Sequence, residues 1–179
     1  MKCFLTGMLL IAGLLAACSG SGKKETISAE ENQTTMVKTF SDSLQADTFK
    51  VKIEGNNPKE MQMIFTITSF EGIQIYLANI KATDLFKSYD AKINLEKKNN
   101  QIKFLKEELA IFFDEENFME PAVTEQETPD QHVPDKNFYE ELKRNQLNGF
   151  SYRLGKEKKL YIAWSDTEKK VKPYYICCN

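Results

Sequence analysis

A histidine, a run of carboxylates, two adjacent cysteines and a cluster of aromatic rings are the side chains here that could do chemistry. His132 is the single histidine and lies between Pro129 and Pro134 in an acidic stretch. A general base needs a fixed partner and a water-poor setting. A proline-flanked acidic loop supplies neither, so His132 is expected in solvent. No Gly-x-Ser-x-Gly elbow is present to complete a Ser-His-Asp triad. Asp114, Glu115, Glu116 and Glu120 crowd acidic groups together, but calcium loops use alternating ligand spacing and a glycine at the tight turn. This run has neither. A solvated helix end is expected there, with no metal site.

Cys177 and Cys178 stand next to each other near the end of the chain. In a strand, alternation sends one side chain inward and the other outward, so a bridge between neighbours needs a distorted backbone. One inward and one outward thiol is the simplest expectation. A vicinal disulfide, or a bond to another chain, is the alternative that an oxidising compartment permits. Tyr161, Trp164, Tyr174 and Tyr175 gather in the last two apolar runs. Aromatic residues in strands usually fill cores or form cross-strand pairs, and aromatic platforms also bind sugars and peptides. The outward members expected are Tyr161 with Tyr174 or Tyr175, and these three form the candidate binding surface. No catalytic residue and no cofactor are assigned.

The elements that must position these groups read as mainly β. Phe49, Val51 and Ile53 alternate with Lys50, Lys52 and Glu54, the pattern of a half-buried strand. Gly55-Asn56-Asn57-Pro58 is turn chemistry, followed by a second strand on Met61, Met63, Phe65 and Ile67. After a break at Gly72, Ile73, Ile75 and Leu77 begin a third segment. Ala91, Ile93 and Leu95, a Lys98-Asn99-Asn100 turn, and Gln101–Lys106 read as a hairpin, giving about five strands before any helix. Leu105, Leu109, Phe112 and Phe113 then recur at helical spacing, so a short helix is expected from Lys106 to Phe113. Residues 121–134 form a long acidic, proline-rich loop. Asp135-Lys136-Asn137 caps a second short helix through Arg144, ended by Gly149. Three closing strands follow on Phe150–Leu154, Leu160–Trp164 and Val171–Cys178. Short turns between antiparallel strands, without a βαβ rhythm, favour an antiparallel β-sandwich or a partly open barrel with one or two short helices, α+β being the wider class.

Charge excludes one class of partner. The chain carries 24 basic and 26 acidic residues with no dominant basic stripe, so nucleic acid is not expected. The N-terminus points to a membrane instead. Lys2 is followed by an apolar run from Phe4 to Ala17, shorter than the roughly 20 residues that span a bilayer and shaped like a secretory signal. It ends in Leu15-Ala16-Ala17-Cys18, which resembles the lipobox of bacterial lipoproteins. That resemblance implies cleavage before Cys18, acyl chains on its thiol and amine, and a stable membrane anchor, since each buried methylene contributes about 0.8 kcal/mol. Ser19 in place of aspartate implies the outer membrane, on either face.

The domains expected are a signal peptide over residues 1–17, a lipidated cysteine and flexible polar tether over 18–47, and one β-rich domain over 48–179. Asp42-Ser43-Leu44 resembles the Asp-(Ser/Thr)-aliphatic acceptor for O-glycosylation in Bacteroidota-type bacteria, which would place a sugar on Ser43. The order of elements, including Tyr89–Lys106, loosely resembles short envelope lipoproteins of such bacteria and brings no activity with it. The function expected is non-catalytic: an envelope lipoprotein that presents a β-rich domain to a protein or polymer partner. A glycan-binding or adhesion module is its sharper form, and a hydrolase with an unrecognised site is the remaining alternative.

Overall fold

A computed structural model describes residues 29–87, 95–155 and 157–178. Two antiparallel four-stranded sheets face each other as a β-sandwich that does not close into a barrel. The first sheet is β1 (Gln33–Thr39), β2 (Ala46–Glu54), β3 (Gln62–Thr68) and β4 (Gln74–Lys81) in that order, a plain meander. The second is β5 (Phe118–Met119), β6 (Gly149–Arg153), β7 (Lys159–Ser165) and β8 (Lys170–Cys177), also in chain order. Between the sheets in sequence lie α1 (Ala82–Phe86) and α2 (Lys98–Ala110), and α3 (Lys136–Asn145) separates β5 from β6.

The core follows from period-two alternation. Phe49, Val51 and Ile53 of β2 and Met63, Phe65 and Ile67 of β3 point inward, against Phe150, Tyr152 and Ile162 of the second sheet. The filling is mostly phenylalanine, with Phe65–Phe150 centroids 5.3 Å apart and Phe65–Phe112 5.1 Å apart, in edge-to-face or tilted contact. β6 is buried on both faces. On the outer face of the second sheet, α3 and the preceding loop pack against Ala163 of β7 and Tyr174 of β8 in a smaller core that includes Val123, Val133, Phe138 and Leu142. The α3 N-terminus is the one expected: the Asp135 carboxylate accepts from the Asn137 and Phe138 amides.

Three expectations are corrected. The tether does not extend through residue 47. β1 pairs along its length with β2, and Phe40 is buried at 1% exposure. An edge strand needs few apolar side chains because its hydrogen bonds hold it, so a Thr-rich stretch suffices. The second half of the expected hairpin is helix: α2 begins at Lys98, because Ile102, Leu105 and Leu109 already lie on one helical face, and Phe112 and Phe113 follow its end. Residues 91–94, its first half, lie outside the described residues, as do the signal, Cys18 and the first part of the tether. The loop over 121–134 is also not simply exposed, since Ala122, Val123 and Val133 are buried and the His132 carbonyl accepts from the Ile176 amide of β8.

Candidate functional site

On the outer side of the second sheet, β7, β8, α3 and the 121–134 loop enclose a cavity of about 330 Å³. Tyr161 of β7 and Tyr175 of β8 are register partners with rings 5.4 Å apart and near perpendicular. The pairing then skips from Tyr161↔Tyr175 to Ile162↔Pro173, leaving Tyr174 as the extra residue of a β-bulge. A bulge re-aims side chains where strict alternation would separate them. Tyr174 and Tyr175 therefore both line the cavity. Of the two alternatives for the outward partner of Tyr161, Tyr175 is the half-buried one, whereas Tyr174 is buried at 3% and forms the floor, its hydroxyl tucked against Gly149, where an added Cβ would come within 2.8 Å. Only glycine allows that approach.

The loop supplies two carboxylates and α3 a fourth ring. Glu127 accepts from the Thr124 amide and hydroxyl with one oxygen and from the Tyr139 hydroxyl, at 3.4 Å, with the other. Asp130 accepts from the His132 amide at 2.8 Å with one oxygen and from the Tyr175 hydroxyl at 3.0 Å with the other. Each acid is thus held to the loop backbone and to a ring of the body. Burial, followed by the Glu127 charge, pushes the Tyr139 phenol up to about 12. Burial also raises the Tyr174 phenol far above its usual value, and burial with the Asp130 hydrogen bond raises Tyr175. At neutral pH these rings carry protons, and Tyr139 and Tyr175 donate theirs to the two carboxylates.

The structure therefore brings Tyr161, Tyr174 and Tyr175 together and adds Tyr139, Glu127 and Asp130, which sequence reasoning missed. Tyr139 had a signal in the Phe138-Tyr139-Leu142 stripe of the capped helix. The carboxylates had none, because an acidic loop reads as solvated. Trp164 does not join: its indole donates to Asp166 at 3.1 Å, and its ring packs on the sandwich core.

The other candidates fall elsewhere. His132 is half-buried rather than free in solvent, its ring 5.6 Å from Tyr175 and its Nε2 3.4 Å from the Gln131 amide nitrogen. Glu115 and Glu120 meet Lys38 of β1 at 2.9 and 3.2 Å. They fasten that edge strand to the second sheet. Cys177 and Cys178 are joined as a vicinal disulfide, the alternative form, in place of one inward and one outward thiol. Ser43 is exposed in the β1–β2 turn, where the Asp42 carboxylate accepts from the Leu44 and Gln45 amides. Asp47, fully buried, accepts from the Ser41 amide and hydroxyl and from the Phe70 amide, tying this turn to the β3–β4 turn. Among the described residues no group of three or more metal-ligating side chains forms, and no helix is long and apolar enough to cross a membrane.

A β-sandwich carrying a tyrosine-lined acidic pocket is the class that fold and site define. No family model matches the chain, and comparison with curated proteins and solved structures finds no match.

Proposed function

We propose that the chain is a non-catalytic, lipid-anchored binding module of a bacterial envelope, which receives a group of a protein or polymer partner in the tyrosine pocket. Lipid on Cys18 fixes the protein at the membrane, most simply the outer one, and the sandwich presents its second sheet to the partner. The observation that carries the reading is the convergence of Tyr139, Tyr161, Tyr174 and Tyr175 with Glu127 and Asp130 on one cavity. Concave sites with aromatic walls and a few placed polar groups are where ligands bind. Fold alone would not argue it, because sandwiches host many functions.

The glycan-binding form has a specific observation in its favour. Carboxylates beside aromatic rings offer acceptors for sugar hydroxyls next to a surface for the ring face. The test compares the full chain with Tyr161→Ala and Tyr175→Ala for retention on purified envelope polysaccharide and peptidoglycan. Unchanged retention by both folded variants removes the pocket from the reading. Palmitate labelling in cells, with and without globomycin, tests the anchor separately; absence of label on Cys18 removes the membrane address.

A further inference from the structure

Resting on that reading, we propose that the group taken by the tyrosine pocket is an organic ammonium. The charge of the cavity carries the argument. Glu127 and Asp130 line it, and among the described residues no lysine, arginine or histidine does. Basic groups stand beside it without lining it: Lys143 donates to the Glu127 carbonyl at 2.9 Å, Lys159 lies 5.9 Å from the Tyr161 ring centroid, and the His132 ring lies 5.6 Å from that of Tyr175. Tyrosine hydroxyls donate to both carboxylates but do not neutralise them. A negatively charged recess therefore opens beside four aromatic rings.

Ring quadrupoles and carboxylates act in the same direction on a ligand. Both attract positive charge, and aromatic enclosures of this kind favour ammonium groups bearing carbon substituents. A bare metal ion is a poor match, because it asks for several converging ligand atoms and no such set of three forms among the described residues. A neutral sugar would use the rings but would leave the two charges unanswered. The volume of about 330 Å³ holds a small head group or one sugar ring, so a quaternary ammonium and a protonated amino sugar both fit. Both carboxylates sit at the solvent-facing rim. Affinity is therefore expected to be modest and to weaken with salt.

The test is calorimetric titration of the full chain with choline, glucosamine and glucose at low and at physiological ionic strength. Saturable binding of choline or glucosamine but not glucose is expected, with whichever binds indicating the source of the ammonium. Glu127→Gln and Asp130→Asn should each weaken it about threefold to tenfold, the range of one partly exposed charge contact, at unchanged melting temperature. If one variant fails to fold, the other and the salt series still decide. Glucose binding as tightly as glucosamine overturns the ammonium assignment while leaving a sugar-binding pocket in place. No binding of either amine also overturns it, and retention of Tyr161→Ala on envelope polymer then decides whether the pocket binds at all.

Discussion

The two cores of this molecule use the same six-membered ring for different ends. Between the sheets the rings are Phe49, Phe65, Phe112, Phe113 and Phe150, dry and in mutual contact. On the far side of the second sheet they are Tyr139, Tyr161, Tyr174 and Tyr175, around a cavity open to water. Burying phenylalanine contributes area alone, whereas a phenol brings a hydroxyl that asks for a partner. Tyrosine is tolerable where one side of the ring stays wet or meets a carboxylate. Where it enters the sandwich, it does so as a pair: the Tyr76 and Tyr152 hydroxyls meet at 2.7 Å. The first core makes the fold, and the second leaves the same kind of surface lining an open cavity.

The largest effect that sharpens this contrast is expected from Phe65→Ala. Phe65 is fully buried and touches rings from both sheets, so its truncation should cost about 3–5 kcal/mol, as deletion of a core aromatic does. Urea denaturation measures it. A loss below about 1 kcal/mol, far short of that range, would mean the sandwich core is not what holds the chain together.

Carboxylates repeat the comparison. Asp47 is sealed at 0% exposure and accepts from two backbone amides and a hydroxyl. Asp47→Ala leaves those donors unpaired and should cost about 3 kcal/mol. Glu127→Gln, at the wet rim, should change stability by less than about 0.5 kcal/mol, the usual range for surface positions. Equal effects in thermal melts would erase the distinction between a structural and a ligand-facing acid.

A smaller effect separates the two kinds of phenol. Tyr152→Phe removes the partner of the Tyr76 hydroxyl and should cost about 1 kcal/mol. Tyr174→Phe keeps the ring on Gly149 and, because no hydrogen bond to its hydroxyl forms among the described residues, should stay within about 0.5 kcal/mol of the parent. If instead Tyr174→Phe costs as much as Tyr152→Phe, the pocket floor is structural.

These contrasts were unevenly legible in the sequence. Strands β2 and β3 announce themselves because each has one face against the core, so alternation survives in residue type; β6, β7 and β8 alternate in residue type although β6 is buried on both faces. The Asp135 cap announces α3. β1 does not, because an edge strand held by Thr34↔Val51 and its neighbouring pairs needs little apolar character. α2 was hidden by Asn99-Asn100, a turn pair that here lies within the first helical turn. Of the pocket, Tyr161 and Tyr175 were visible because their strands are neighbours in the chain. The bulge at Tyr174 was not, nor was the return of Glu127 and Asp130 onto rings from α3 and β8. Those contacts depend on how the loop lies across the sheet, and residue type does not encode that locally.

The smallest expected effect is one of sign, and it divides the same two regions. Glu108 of α2, 8% exposed against the sandwich, has its carboxyl raised by burial, with Arg153 at 3.3 Å opposing and Glu107 assisting. Asp135, beside the second core, is lowered by the Lys172 hydrogen bond and by the Phe138 amide. For Glu108 the folded chain holds the proton more tightly than the unfolded chain. Its stabilising contribution is therefore complete below the ordinary carboxylate range and lost as pH rises through the folded value. For Asp135 the folded chain releases the proton more readily, so its contribution is present above the ordinary range and lost as pH falls through the depressed value. Glu108→Gln should thus gain on the parent as pH rises from about 4 toward 7, through and above the usual glutamate range. Asp135→Asn, which keeps an acceptor for the cap, should lose on the parent as pH rises toward about 4, the usual aspartate value, and should run parallel to it above that. Denaturation midpoints against pH give both slopes, and slopes of the same sign would show that one carboxyl is not in the environment assigned to it. Since Asp135 is 39% exposed and solvent screens its pair, its slope should be the shallower.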